Sequence, residues 1–261
     1  MKGHWIVVLI SSIAVLTAWT SRALGASQSN TSQQFTGAAK SEEHATGRHD
    51  SAQKVIYRLD FSDYAGGSVE EWLESKGFKF EEAAKDRNLL ALSVHHSALI
   101  LEAKEQIRGF LYKESLNIEQ FSKVRIEWGI LKYPEGASYE RQIRNEALMV
   151  YISFGHEKIS SGNIILPNVP YFIGLFLCKD DKLNTPYLGR YYQEGGRFVC
   201  LDHAELQQTI VSEFDLVTAF RTYFDKGEVP PISGINLGVD TSDAGDGGKA
   251  AAYIKAIEFL Y

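Results

Sequence analysis

Between Lys123 and Tyr133 the chain reads KVRIEWGILKY, and this alternation constrains the fold more than any other stretch. In an extended chain Val124, Ile126, Trp128 and Ile130 fall on one side, and Arg125 and Glu127 on the other. The same period returns in ALMVYISFG, where Leu148, Val150, Ile152 and Phe154 oppose Tyr151 and Ser153. One buried and one wetter face is the pattern of an antiparallel sheet. Further strand segments are VIYRLDF, LLALSVHH, ALILEAK, GFLYKESL, PYFIGLFLC, GRFVCLD, GINLGVD and AAYIKAIEFLY, punctuated by Gly, Pro, Asn and Asp. FIGLFL is apolar on both faces and reads as a central strand. VEEWLESKGF reads as a short helix or turn, and Phe214 to Phe224 as an amphipathic segment. With 13 Tyr and 14 Phe favouring β structure, the pattern predicts an all-β antiparallel sandwich of jelly-roll type with one or two short helices.

That sandwich is expected over residues 54–261. Residues 1–26 read as a secretory signal, with Lys2 at the start, an apolar run from Trp5 to Leu16 and small residues at Ala23 to Ala26. The run is short for a bilayer span; retention as an uncleaved anchor is the alternative. Residues 27–53 hold Phe35 as their one large apolar residue and read as a disordered polar spacer. Its Asn30-Thr31-Ser32 fits a glycosylation acceptor in a glycosylating host.

Lys2 and Arg22 are the charges of the first 25 residues; removing them from 27 basic residues leaves 25 against 33 acidic, a net of −8. Such a balance argues against nucleic acid or an anionic membrane as partner. Cys178 and Cys200 are the only cysteines. Both a disulfide, which export permits, and two buried free thiols are open readings.

From Leu116 to Phe259 the chain resembles a bacterial exported family known as domain of unknown function 3047. The blocks, in order, are Val124-Arg125-Ile126-Glu127-Trp128, Ala147 to Phe154, and the Pro-led run Pro170 to Cys178. A terminal block follows: Phe214 to Phe224, Pro230-Pro231, Ser233-Gly234-Ile235 and Asp240-Thr241-Ser242-Asp243. The family's paired aspartate before the middle strand is replaced here by Asn145 and Glu146. The Trp usual in the Pro-led strand is replaced near Phe176 and Leu177. The resemblance implies an exported sandwich of the lectin and carbohydrate-binding kind, and no reaction.

Two constellations carry candidate chemistry. Asp240, Asp243 and Asp246 lie in VDTSDAGDGGK, a loop whose oxygens suit calcium. Its spacing is not that of an EF-hand, since the twelfth position from Asp240 is Ala251, and a solvated turn is the alternative. No other cofactor is expected. Arg125-Ile126-Glu127, Gln142-Ile143-Arg144 and Gly189-Arg190-Tyr191-Tyr192-Gln193 resemble three alginate-lyase motifs in order, with Arg144 where those enzymes carry a His. Uronate chemistry needs carboxylate neutralisation beside an acid and a base. His95 and His96 would point to opposite strand faces, and no zinc spacing, P-loop or nucleophile-elbow motif is present. Glu127 lacks the paired carboxylate of a glycosidase.

The sequence therefore supports three expectations. A non-catalytic glycan- or ligand-binding module of the cell envelope would use Arg125, Glu127, Tyr151, Tyr191 and Gln193 on a wet sheet face. A polysaccharide lyase or hydrolase would gather Arg125, Glu127, Arg144, Tyr191 and Gln193 in one groove. A structural envelope protein would have no groove.

Overall fold

The computed structural model describes residues 53–261. The signal-peptide and spacer readings fall, Gln53 apart, outside the described residues. In chain order the elements are β1 (Val55–Asp60), α1 (Val69–Ser75), β2 (Lys79–Glu82), a 3-10 turn (Ala83–Lys85), β3 (Leu90–His95), β4 (Ala98–Ala103), β5 (Arg108–Ile118) and β6 (Lys123–Lys132). Then follow β7 (Glu146–Ile159), β8 (Val169–Cys178), β9 (Gly196–His203), β10 (Ile210–Asp215), α2 (Leu216–Phe224), β11 (Ile232–Asp240) and β12 (Ala250–Leu260).

The strands form two six-stranded sheets. The first runs β10-β6-β12-β4-β3, with β1 pairing the last residues of β12 beyond β4. The second runs β2-β5-β11-β7-β8-β9. Every pairing is antiparallel except β8 with β9. This is the antiparallel sandwich that the alternation predicts.

Burial explains the pairing of faces. Val124, Ile126, Trp128 and Ile130 from the first sheet and Leu148, Val150, Ile152 and Phe154 from the second are buried in one core. Removing each such side chain from water contributes about 1.5–3 kcal/mol. The helices close the ends. Ser68 caps α1, its Oγ accepting from Glu71 N at 3.2 Å. Asp215 caps α2, accepting from Thr218 N at 2.8 Å. The buried Phe220 of α2 packs on Phe154 and Tyr171, with ring centroids 4.8 and 5.7 Å away. Among the described residues no helix is long and apolar enough to cross a membrane.

A second, smaller core lies on the outer face of the second sheet. It holds Tyr139, Met149, Phe172, Phe176, Cys178, Phe198 and Cys200. This core is why β8 is apolar on both faces: Ile173, Leu175 and Leu177 face the main core, and Phe172, Phe176 and Cys178 face the second.

Candidate functional site

The outer face of the second sheet combines rings with polar groups. Strand register sets Tyr112 beside Asn236, Asn236 beside Tyr151, Tyr151 beside Gly174, and Gly174 beside Phe198. The neighbouring row runs Phe110, Gly238, Met149, Phe176 and Cys200. Gly238 makes room for the rings. A Cβ there would stand 2.6 Å from Tyr151 Cε2 and 3.1 Å from Phe110. Phe110 and Tyr151 meet edge to face at 6.2 Å, and Tyr151 continues to Phe172 at 5.7 Å.

Half of this face is roofed. The buried Tyr139 covers Phe176 and Phe198 with centroids 4.6 and 5.5 Å away. Asp181, itself buried, anchors that roof by accepting from Ser138 Oγ at 2.6 Å and Tyr139 N at 2.8 Å. Tyr187 bridges to β9 through paired backbone bonds with Phe198 at 2.8 and 3.0 Å. The other half stays open. Phe110, Tyr112, Asn236, Tyr151 and Ser153 are only partly buried there. Two open clefts lie elsewhere, one by α2 at Phe121, Val217 and Arg221, the other by α1 at Glu74, Phe78 and Lys79.

One end of the open strip is acidic. Glu146 on β7 stands opposite Asp240 on β11, and Asp240 opposite Arg108 on β5. Glu146 is buried and accepts from Tyr139 Oη at 3.1 Å and Tyr151 Oη at 3.4 Å. Burial, and then the charge of Asp240, push its carboxyl well above the usual range against the opposing pull of both phenols and Arg108. Burial also raises Asp240, opposed by two hydrogen bonds from Ser242. Arg108 is held by two bonds to Glu82, each 3.0 Å. The phenols of Tyr139 and Tyr151 are raised by burial first and by Glu146 second.

The raised Glu146 has a signed consequence for stability. Above the ordinary carboxyl value of 4.5 the unfolded chain has released a proton that the folded state still holds. The folded state binds more protons, so stability falls as pH rises from that value to the folded pKa. Wild type loses up to about 1.4 kcal/mol per pH unit across the window. Glu146→Gln keeps one acceptor oxygen, turns the other position into an N–H whose hydrogen bond a phenol oxygen can accept, and never ionises. Its urea midpoint should gain on wild type as pH rises from about 5 to about 8. Parallel midpoints across that range would contradict the account.

The residues expected from strand parity divide between two opposite faces. Arg125 and Glu127 lie on the outer face of the first sheet. Arg125 bonds Glu213 at 2.7 and 2.8 Å and Glu258 at 3.3 Å, and Glu127 accepts from Lys255 at 3.0 Å. Tyr151 alone of the five joins the open strip. Tyr191 and Gln193 lie in the connection from β8 to β9, where Gln193 is exposed with Nε2 3.5 Å from the Gly189 carbonyl. Arg144 meets that connection, Nε lying 3.3 Å from the Leu188 carbonyl. The single binding face and the lyase groove are both corrected by this division. Alternation separates inward from outward positions but does not say which sheet a strand joins.

Asp240, Asp243 and Asp246 do not gather. Asp246 pairs with Lys132 at 2.8 Å, Asp240 accepts from Ser242 Oγ at 2.6 Å, and the exposed Asp243 donates its amide to Asn145 Oδ1 at 3.1 Å. Cys178 and Cys200 form a disulfide, with S–S 2.02 Å and Cα atoms 5.7 Å apart. His203 lies close to both sulfurs, the one such three-residue group among the described residues, but the disulfide takes up both thiolates a metal would need. Phe110, Tyr112, Asn236 and Glu146 are members of the site that parity missed. The one signal in sequence was an acid, Glu146, at the head of an apolar run.

No protein-family model and no curated protein matches this chain. Among solved structures, the exoplasmic/lumenal domain of VIP36 in its Ca2+/Man3GlcNAc-bound form is similar over 80% of this chain and 89% of that chain, at 9% identity and TM-score 0.39. A family 29 carbohydrate binding module is similar over 78% and 88%, at 10% identity and TM-score 0.32. The Endo-D glycoside hydrolase domain from Streptococcus pneumoniae R6 is similar over 70% of this chain and 21% of that chain, at 10% identity and TM-score 0.34. At these scores the likeness assigns neither ligand nor activity to this chain.

Proposed function

We propose that this chain is an exported, non-catalytic glycan-binding module of the cell envelope. Its ligand is a neutral polysaccharide lying along the open strip of the second sheet. The observation that carries this reading is Asn236. It stands in register between Tyr112 and Tyr151, rings flank it on both sides, the residue is partly buried, and its Oδ1, shielded from solvent by its neighbours, has no hydrogen-bond partner among the described residues. Sugars are held by aromatic platforms with a few fixed polar groups, and this strip supplies both. Its rings and amide are partly exposed rather than enclosed, as a surface platform for a polymer requires.

Charge supports a neutral ligand. Apart from Glu146, which holds its proton, the acids Glu81, Glu82, Glu114, Glu157 and Asp240 on β2, β5, β7 and β11 slightly outnumber Lys79, Arg108, Lys113 and Lys158, and the two cations beside the strip, Lys79 and Arg108, are paired with Glu114 and Glu82. A polyuronate would meet repulsion there, with both cations beside the strip already paired. The disulfide supports an oxidising compartment. Membership in the exported family of unknown function belongs to the same proposal.

Affinity electrophoresis of the full chain in gels of neutral glucan, mannan or alginate tests the reading. Retardation is expected with a neutral polymer. Tyr112→Ala and Asn236→Ala should each weaken it about tenfold or more, while Arg125→Ala leaves it unchanged. Equal retardation of all variants, or retardation by alginate alone, would overturn it.

A further inference from the structure

One buried carboxyl joins the roofed half of the second sheet's outer face to the open half. Glu146 is 4% exposed. It accepts at Oε2 from Tyr139 of the roof, 3.1 Å away, and at Oε1 from Tyr151 of the open strip, 3.4 Å away. The charged groups around it do not balance a charge of its own. Asp240 faces it from β11 with a like charge, to which the exposed Asp243 adds. Arg108 stands beyond Asp240 on β5 and is held by Glu82 of β2 through two bonds of 3.0 Å. Arg144, two residues before Glu146, reaches instead to the Leu188 carbonyl at 3.3 Å.

These neighbours fix what the proton does. With it the carboxyl is neutral, and a hydrogen-bonded neutral acid tolerates burial between two phenols. Without it a charge stands buried opposite Asp240, and such a charge must gain water. Water reaches it by moving one of the two tyrosines. Tyr139 is buried, and its segment is pinned to Asp181 by Ser138 Oγ at 2.6 Å, Tyr139 N at 2.8 Å and Glu140 N at 3.2 Å. Tyr151 is partly exposed, and Glu146 is the one side chain its hydroxyl bonds among the described residues. The ring of the strip therefore yields before the ring of the roof.

We propose that Glu146 is a positioning residue for the glycan strip, seating Tyr151 beside Asn236 while it holds its proton and releasing that ring when it loses it. The inference rests on the reading of the strip as the glycan face. A glycan that needs the seated ring selects the protonated chain, so glycan binding and proton uptake favour each other. Burial, and then the charge of Asp240, raise the Glu146 carboxyl. Its proton is therefore kept past the ordinary carboxyl range, and affinity falls as pH rises through the folded value. The phenols of Tyr112, Tyr139 and Tyr151 are raised by burial and stay neutral meanwhile. A neutral polymer has no titrating group of its own, so the pH dependence belongs to the protein.

Equilibrium binding of the full chain to immobilised glucan and mannan, from about pH 5 to about pH 9 with EDTA throughout, is the test. Wild type should lose at least about fivefold in affinity across that range, at constant far-UV spectrum. Glu146→Gln, compared with itself, should change by less than about twofold. Asp240→Asn should move the fall to lower pH, because it removes a charge that raises the acid. A second readout needs no glycan. In the free labelled chain, nuclear Overhauser contacts of the Tyr151 ring with Phe110 and Phe172 should weaken as the Glu146 carboxyl titrates, while those of Tyr139 with Phe176 persist. Constant wild-type affinity for a bound polymer, equal pH profiles for wild type and Glu146→Gln, or unchanged Tyr151 contacts as Glu146 titrates overturns the inference and leaves the strip reading standing. Binding to neither polymer at any pH overturns the strip reading, and this inference with it.

Discussion

Replacing Trp128 by Ala is expected to lower the unfolding free energy by about 3–5 kcal/mol. Trp128 is fully buried on β6, at the centre of the first sheet's inner face. Its Nε1 donates to Ser212 Oγ at 3.0 Å, and Ser212 Oγ donates to Asp202 Oδ2 at 2.5 Å. The bond therefore joins β6 to β10, and reaches β9 of the other sheet through one hydroxyl. Alanine removes the ring and leaves a cavity that a close-packed sandwich collapses only in part. Trp128→Phe separates the terms: it keeps most of the volume and loses the hydrogen bond, at about 1 kcal/mol for the bond itself. Against a total of about 5–15 kcal/mol, the alanine variant should shift the urea midpoint strongly with the slope unchanged. A shift worth less than about 1 kcal/mol would show that the inner face is not packed as described.

Loss of the Cys178–Cys200 disulfide should cost about 3 kcal/mol. The two residues are 22 apart in sequence, and closing a loop of that size removes about that much chain entropy from the unfolded state. The local setting adds a second reason. β9 is the edge strand of the second sheet; its strand pairing is the parallel one with β8, and beyond it only isolated bridges from Leu183 and Tyr187 reach it. The disulfide ties those two strands on the outer face, beneath the roof that Tyr139 and Tyr187 form. In Cys178→Ser/Cys200→Ser, hydrogen exchange should quicken first in β9, and the melting temperature should match that of reduced wild type. A double variant as stable as oxidised wild type, with wild type insensitive to reductant, would contradict this.

The alternation of Val124 to Ile130 and of Leu148 to Phe154 was enough to identify two half-buried strands and the sandwich they build. The first prediction above rests on that inner face, the second on the outer face of the second sheet. Other elements were illegible for physical reasons. β2 is only four residues, three of them charged, and its pairing with β5 supplies the order its sequence lacks. β10 was hidden because Phe214 to Phe224 reads as one amphipathic segment. The chain leaves the sheet at Asp215, whose carboxylate caps α2, and a cap changes the period within a single residue. β8 was legible as central, but the cause of its two apolar faces was not, since the second core is assembled from β7, β8 and β9 under Tyr139, residues distant in sequence.

The candidate site was less legible than the fold. Tyr151 showed its outward position by parity. Arg125 and Glu127 showed the same parity, yet they belong to the cross-strand ion pairs of the other sheet. Tyr112, Asn236 and Tyr151 become neighbours only because β11 pairs with both β5 and β7, a fact of topology that no local pattern carries. Glu146 reads as a strand-end acid. Only the packed structure buries it against two phenols and sets it opposite Asp240.

The most direct test of the glycan-face account is amide chemical-shift mapping of the labelled full chain, titrated with an oligosaccharide of the neutral polymer that retards it. The account predicts saturable shifts centred on Phe110, Tyr112, Asn236 and Tyr151, with the amides around Arg125, Glu127 and Glu258 still. Shifts centred on those last residues, or at the clefts beside the helices, would contradict it.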